Sequence, residues 1–153
     1  MTLPNIFDLT VTQSLITRIE NLHIHTKPKW GKMNIGQMLA HCCITYQYVY
    51  EPEKFKKPNV LMAWVLKTFV KKNIVNETPY KKNIRTAPDF IITNERNFEV
   101  EKEKLIQFLI RSQKDGETYF QGKESFSFGI LTITEWSNMF YKHLDHHLTQ
   151  FGV

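Results

Sequence analysis

The sequence predicts an all-α protein. Apolar residues recur at helical spacing in five segments, two of those segments open on capping boxes, and alternating strand-like patterns are scarce. The length fits one domain spanning residues 1–153, close to the ~150 residues expected per domain. A chain of this size buries roughly 70% of its unfolded surface, so it needs neither disulfide nor metal merely to fold. Apolar residues are 42% and charged residues 23%, which excludes a disordered, collagen-like or disulfide-scaffold chain.

The first helix is expected over residues 8–22, where Leu9, Leu15, Ile16 and Ile19 form the apolar stripe. Residues 23–30, interrupted by Pro28, read as a loop. Asn34 with Gln37 three residues on is a capping-box variant, and it opens a second helix that runs to about Tyr50, before Pro52. On this helix Gly36, Cys43 and Gln47 are expected to face outward, and His41 to face a core or cleft. A third helix is expected over residues 59–73. Residues 78–89 hold Pro79 and Pro88 and show no period, so they read as a long connection packed along the helices. Thr93 or Asn94 opens a fourth helix, to about Gln113, which Asp115-Gly116 ends. Residues 119–130 form an aromatic loop with room for short extended pieces, and Thr132 with Glu135 caps a last helix that runs nearly to the end.

Charge is uneven. Residues 54–85 carry nine Lys or Arg against one acid, Glu77, while the rest has eleven basic and fourteen acidic residues. All of the net charge of +5 therefore comes from one stretch, which reads as a solvated helix face. A nucleic-acid backbone, an anionic membrane surface or an anionic small molecule would each suit it, but no nucleic-acid motif accompanies it. Neither nucleic acid nor membrane is an expected partner. The longest apolar run, residues 60–66, is far short of the ~20 residues of a membrane span. Cys42 and Cys43 are neighbours that point about 100° apart on a helix, which suits no bridge and suggests a reduced protein. With no basic start or apolar run in the first eight residues, no signal peptide is expected, and the cytoplasm is the expected compartment.

The chemistry lies in the histidines. His143 and His147 are spaced i, i+4 on the last helix and share an apolar arc with Trp136, Phe140, Leu144 and Phe151, while Lys142, Asp145 and Thr149 point the other way. Buried imidazoles need partners, because each ring has two polar nitrogens. Hydrogen bonds within the core are one solution; a shared metal ion with a third ligand, for which His41 is the candidate, is another. Three imidazoles with a fourth position open is the catalytic rather than the structural pattern for zinc. Gln37, one turn before His41, is either a capping residue or a residue lining the site. Tyr48 is read as core packing with lining as the alternative, and His146 as surface with a supporting role as the alternative. The cysteines are read as inert core residues, and His23 and His25 as exposed loop residues.

The segment Trp30-Gly-Lys-Met-Asn-Ile-Gly-Gln-Met-Leu-Ala-His41 resembles the start of the second helix in the DinB/YfiT-like superfamily. Trp136-Ser-Asn-Met-Phe-Tyr-Lys-His-Leu-Asp-His-His-Leu-Thr-Gln-Phe-Gly152 resembles its terminal His-x-x-x-His helix. More narrowly, Lys82-Asn-Ile-Arg-Thr-Ala-Pro88 is similar to a segment that follows the third helix in an uncharacterised branch. That branch carries a His-Pro pair where this chain has Ser125-Phe126, so any role of that loop histidine is absent or altered here. The resemblance implies a four-helix up-down-down-up bundle with an additional short helix or long loops. It also implies a divalent metal ion, zinc or nickel, on His41, His143 and His147. Characterised relatives include metal-dependent transferases that use low-molecular-weight thiols, so a thiol cosubstrate and a small-molecule substrate are implied. Dimers occur among relatives, and the apolar third helix is a candidate homodimer surface. The metal would hold either a thiol as thiolate or a water as hydroxide, giving a thiol transferase or a hydrolase. A non-catalytic metal-binding or stress-related protein of the same fold is the alternative.

Overall fold

A computed structural model describes residues 2–153. The elements are, in order, α1 (Leu9–Glu20), α2 (Ile35–Tyr50), α3 (Val60–Val65), α4 (Lys71–Val75), α5 (Phe98–Phe120), β1 (Glu124–Ser125), β2 (Gly129–Ile130) and α6 (Ile133–Phe151). A π turn over Leu66–Val70 joins α3 to α4, and single 3-10 turns occur at Pro52–Lys54 and Pro88–Phe90. The structure is mostly helical, as the periodicity predicts. The strands are two residues each and pair antiparallel, with Ser125 opposite Gly129.

Both capping boxes form. Asn34 accepts from the Gln37 N–H while the Gln37 side chain accepts from the Asn34 N–H, and Thr132 and Glu135 exchange bonds in the same way. Elsewhere the boundaries move. The helix α1 starts one residue later than expected, because Asp8 sits at the N-cap without a side-chain bond, and it ends at Glu20. The helix α5 opens at Phe98, not near Thr93, because Asn97 supplies the cap by accepting from the Val100 N–H. The break at Gly116 is real, with φ 62° and ψ −174°, a left-handed conformation that favours glycine. The chain nevertheless resumes for a last turn to Phe120, whose ring is fully buried.

The helix α2 is the centre of the packing. It meets α5 on one side, α6 on another and the Pro88–Phe90 turn on a third. Gly36, Cys43 and Gln47, expected to face outward, are therefore buried, Cys43 at 1% and Gln47 at 8% exposure. Gly36 is the tightest point: a Cβ there would lie 2.5 Å from the Arg96 carbonyl oxygen. Behind α2, the Tyr46 ring stacks between Phe108 and Phe140, at centroid distances of 5.8 and 4.8 Å.

The short helices form an arm whose far end is fastened to α6. Asn138 donates to the Val75 carbonyl at 2.9 Å, and Lys142 donates to the Asn73 and Asn76 carbonyls at 2.9 and 2.7 Å and to Asn76 Oδ1 at 2.8 Å. Lys142 thus does not point away from the protein, as its wheel position suggests. It is 3% exposed and satisfies carbonyls that the end of α4 leaves open. Burial lowers its pKa to about 8. Lys71 secures the same arm through an ion pair with Glu135 at 3.0 Å. The other end differs: Val60, Leu61, Met62, Trp64 and Phe69 are all at least half exposed.

Candidate metal centre

His41 projects from α2 toward α6, where His143 and His147 stand one turn apart. The three rings gather with centroids 4.5 to 5.0 Å apart. One ring nitrogen from each lies within 4.8 Å of the others, a group that could hold a metal ion. The two α6 histidines and His41, expected from the sequence as the candidate set, are brought together here.

The outer nitrogens are each held by an oxygen. His41 Nδ1 donates to the Phe90 carbonyl at 2.8 Å. Gln150 Oε1 accepts from His147 Nδ1 at 2.8 Å. The orientation of that amide is itself fixed, because its NH₂ group donates to the Trp30 carbonyl at 2.7 Å. A carbonyl accepts only, so His41 and His147 each carry their proton on Nδ1 and present a bare Nε2 inward. His143 Nδ1 is 3.0 Å from Thr45 Oγ1, a hydroxyl that either donates or accepts. His143 Nε2 faces His41 Nε2 at 3.0 Å. Without a cation, one of those two nitrogens must be protonated, and the Phe90 carbonyl leaves that proton to His143. Were His143 Nε2 to hold a cation, the ring's proton would belong on Nδ1, facing the Thr45 hydroxyl.

The donor set fits a borderline divalent ion: three neutral imidazoles, each backed by an oxygen. Nitrogens sharing one ion at ~2.0–2.1 Å are at most about 4.2 Å apart; the His41–His143 pair at 3.0 Å is within that reach, and the group of three, within 4.8 Å, would need to draw in by under an ångström. Neutrality is favoured by the surroundings. Burial, first of all, lowers the pKa of all three rings, to about 3 for His147, and the neighbouring histidines add to the effect.

The site opens into a cleft of about 810 Å³, in the range of small-molecule sites. Its walls come from four places: the 30–33 loop, the face of the arm carrying Leu66, Val70 and Ile74, the 80–93 connection, and the hairpin residues Phe126 and Phe128. Gln37 both caps α2 and lines the cleft, and its NH₂ group lies 3.4 Å from the Thr93 and Asn94 carbonyls. Tyr48 lies on the cleft wall rather than in the core, stacked on Phe126 at 4.3 Å, with its hydroxyl donating to Asp89 at 2.8 Å. His146 is not a surface residue either: it is wedged edge-on between Trp30 and Tyr80, both at 5.8 Å, and lines the cleft. The cysteines are as expected. Both are buried free thiols, and burial raises their pKa values, to about 12 for Cys43. His23 and His25 are exposed and do not belong to the cluster.

Sequence reasoning missed four contributors, among them Thr45, one turn after His41 on α2. Gln150 was detectable, since it stands three residues after His147 on the same face. Phe90 and Trp30 act through backbone carbonyls, which no side-chain pattern announces. Among the described residues no helix is long and apolar enough to cross a membrane. In comparisons with known proteins, a family model described as "Protein of unknown function (DUF1569)" matches residues 3–152. No curated protein and no solved structure matches the chain.

Proposed function

The chain belongs to the DUF1569 family, and from that premise we propose that it is a divalent-metal-dependent enzyme, a thiol transferase or a hydrolase of a small molecule. The observation that carries this reading is the double layer around the cluster: three imidazoles converging, with oxygens of Phe90, Thr45 and Gln150 on their far sides. Zinc or nickel suits three imidazole donors best. We also place the chain among the DinB/YfiT-like proteins and read its four long helices as their up-down-down-up bundle. A homodimer and a cytoplasmic location belong to the same reading.

A bound ion would supply Lewis acidity, keeping a thiol as thiolate or a water as hydroxide near neutral pH. The rest falls to the chain. His41, His143 and His147 would hold the ion on one side and leave the cleft side open for a ligand. The oxygens behind them fix ring orientation, so little reorganisation accompanies binding. Leu66, Val70 and Phe90 exclude water from the floor and strengthen electrostatic contacts made there. Tyr48, its hydroxyl anchored on Asp89, offers a flat ring for an apolar part of the substrate.

The test is the metal content of the untagged protein, measured by plasma mass spectrometry beside the His143→Ala/His147→Ala double variant. About one divalent ion per chain is expected, and the double variant should lose it. No bound ion after reconstitution with zinc, nickel and manganese would overturn the reading.

A further inference from the structure

The walls of the cleft are chemically one-sided. Among the described residues that line it there is no Asp or Glu. Lys32 and Arg85 line it and are exposed, and Lys82 holds its ammonium 4.3 Å from the centroid of Trp30, another lining residue. Asp89, just outside the lining, accepts the Tyr48 hydroxyl. Lys82 and Arg85 belong to the basic stretch that supplies the excess charge of the sequence. The structure lays the end of that stretch along the cleft, as residues 83–87 form part of its wall. The remaining lining is largely apolar and aromatic, with Val49, Leu66, Ile74, Phe90, Phe126 and Phe128 facing a space far larger than a water or a simple anion needs.

We propose that the ligand of this cleft is an organic anion with a large apolar body, its charged end met by Lys32 and Arg85 and its body lying against the aromatic walls. This rests on the reading of the cleft as the substrate site and names its substrate class. A cavity lined by cations alone, between low-dielectric walls, concentrates anions and discourages cations of equal size. The apolar walls add burial, worth roughly 25 cal/mol per Å². An inorganic anion would gain the first contribution and not the second. A neutral apolar molecule would gain only the second.

The experiment uses three probes of one shape and different charge: 2-naphthoate, 2-naphthalenemethanol and 2-naphthylmethylamine. Binding to the full chain is measured by calorimetry at low salt, both zinc-loaded and stripped with chelator. Naphthoate is expected to bind about tenfold or more tighter than the alcohol, with the amine weakest, in both forms. In the Lys32→Gln/Arg85→Gln variant, the preference over the alcohol should fall to about threefold or less while alcohol binding is kept. Both residues are exposed, so the variant keeps the core that folds the chain. Equal affinity for naphthoate and the alcohol, or a preference unchanged in the variant, would overturn the proposal. A protein that takes up zinc yet shows no preference loses this inference and keeps the metal reading. One that takes up no metal yet prefers naphthoate does the reverse.

Discussion

On α2, His41 opens on the cleft, while Cys42 and Cys43, the next two residues, are sealed in the core behind it. All three are buried, and all three carry chemistry that metals and electrophiles seek. They differ in what stands opposite. His41 meets two more ring nitrogens and has its outer nitrogen held by Phe90. Cys42 meets Met38 sulfur at 3.6 Å, and Cys43 meets the Glu101 carbonyl at 3.8 Å. Burial beside two further imidazoles puts His41 in a group that could hold a metal ion; burial in the core raises the thiol pKa and keeps it protonated.

The largest effects should separate the two sides. Phe140→Ala, behind the cleft, is expected to cost about 3–5 kcal/mol in urea unfolding, with metal stoichiometry retained in the folded fraction. His41→Ala should instead abolish metal uptake at a smaller stability cost to the metal-free protein. If both variants lost stability alike and neither altered metal uptake, the division would not hold.

Next comes the support behind the cluster. Gln150→Leu removes the acceptor from His147 Nδ1 and should weaken metal affinity by about 10–100-fold, measured by competition with a chromogenic chelator. The helix should persist, because Gly152 and the carbonyls near it still close α6.

A pH series sharpens the contrast further. The three site histidines have pKa values below the ordinary 6.5 when folded, so the unfolded chain takes up their protons first as pH falls. The stability present above about pH 6.5 is then lost between there and the folded values, about 3 for His147. The slope should approach about 1.4 kcal/mol per pH unit for each ring still neutral in the folded state. Urea midpoints measured at about pH 7.5 and about pH 5 should converge in His143→Ala/His147→Ala.

The smallest effect belongs to the thiols. Cys42 and Cys43 should react with a thiol reagent only on the timescale of opening, and at once in denaturant. Rapid labelling of the native protein would place them at the cleft rather than behind it.

These contrasts also explain what the sequence could tell. His143 and His147 were legible because one face of α6 is apolar and the i, i+4 spacing is rigid. The caps at Asn34 and Thr132 were legible because they are local bonds. Gly36, Cys43 and Gln47 were misread because a helical wheel assumes one buried side, whereas α2 is covered on several. Lys142 was misread because its partners, the Asn73 and Asn76 carbonyls, lie about seventy residues away. The Phe90 carbonyl behind His41 was invisible for the same reason.

The π turn at Leu66–Val70 has a consequence for insertions and deletions. A π turn holds about one residue more than an α turn, so this arm carries one residue beyond what a continuous helix would use. Removing one residue from the π turn would regularise the helix and leave α3 and α4 nearly in their present phase, whereas removing one from within α4 would turn everything before it by about 100°. A gap within α4 would turn Leu66 away from the cleft wall while Val75 stayed on Asn138. The cleft of this chain should therefore tolerate a gap of one residue at the π turn better than one within α4.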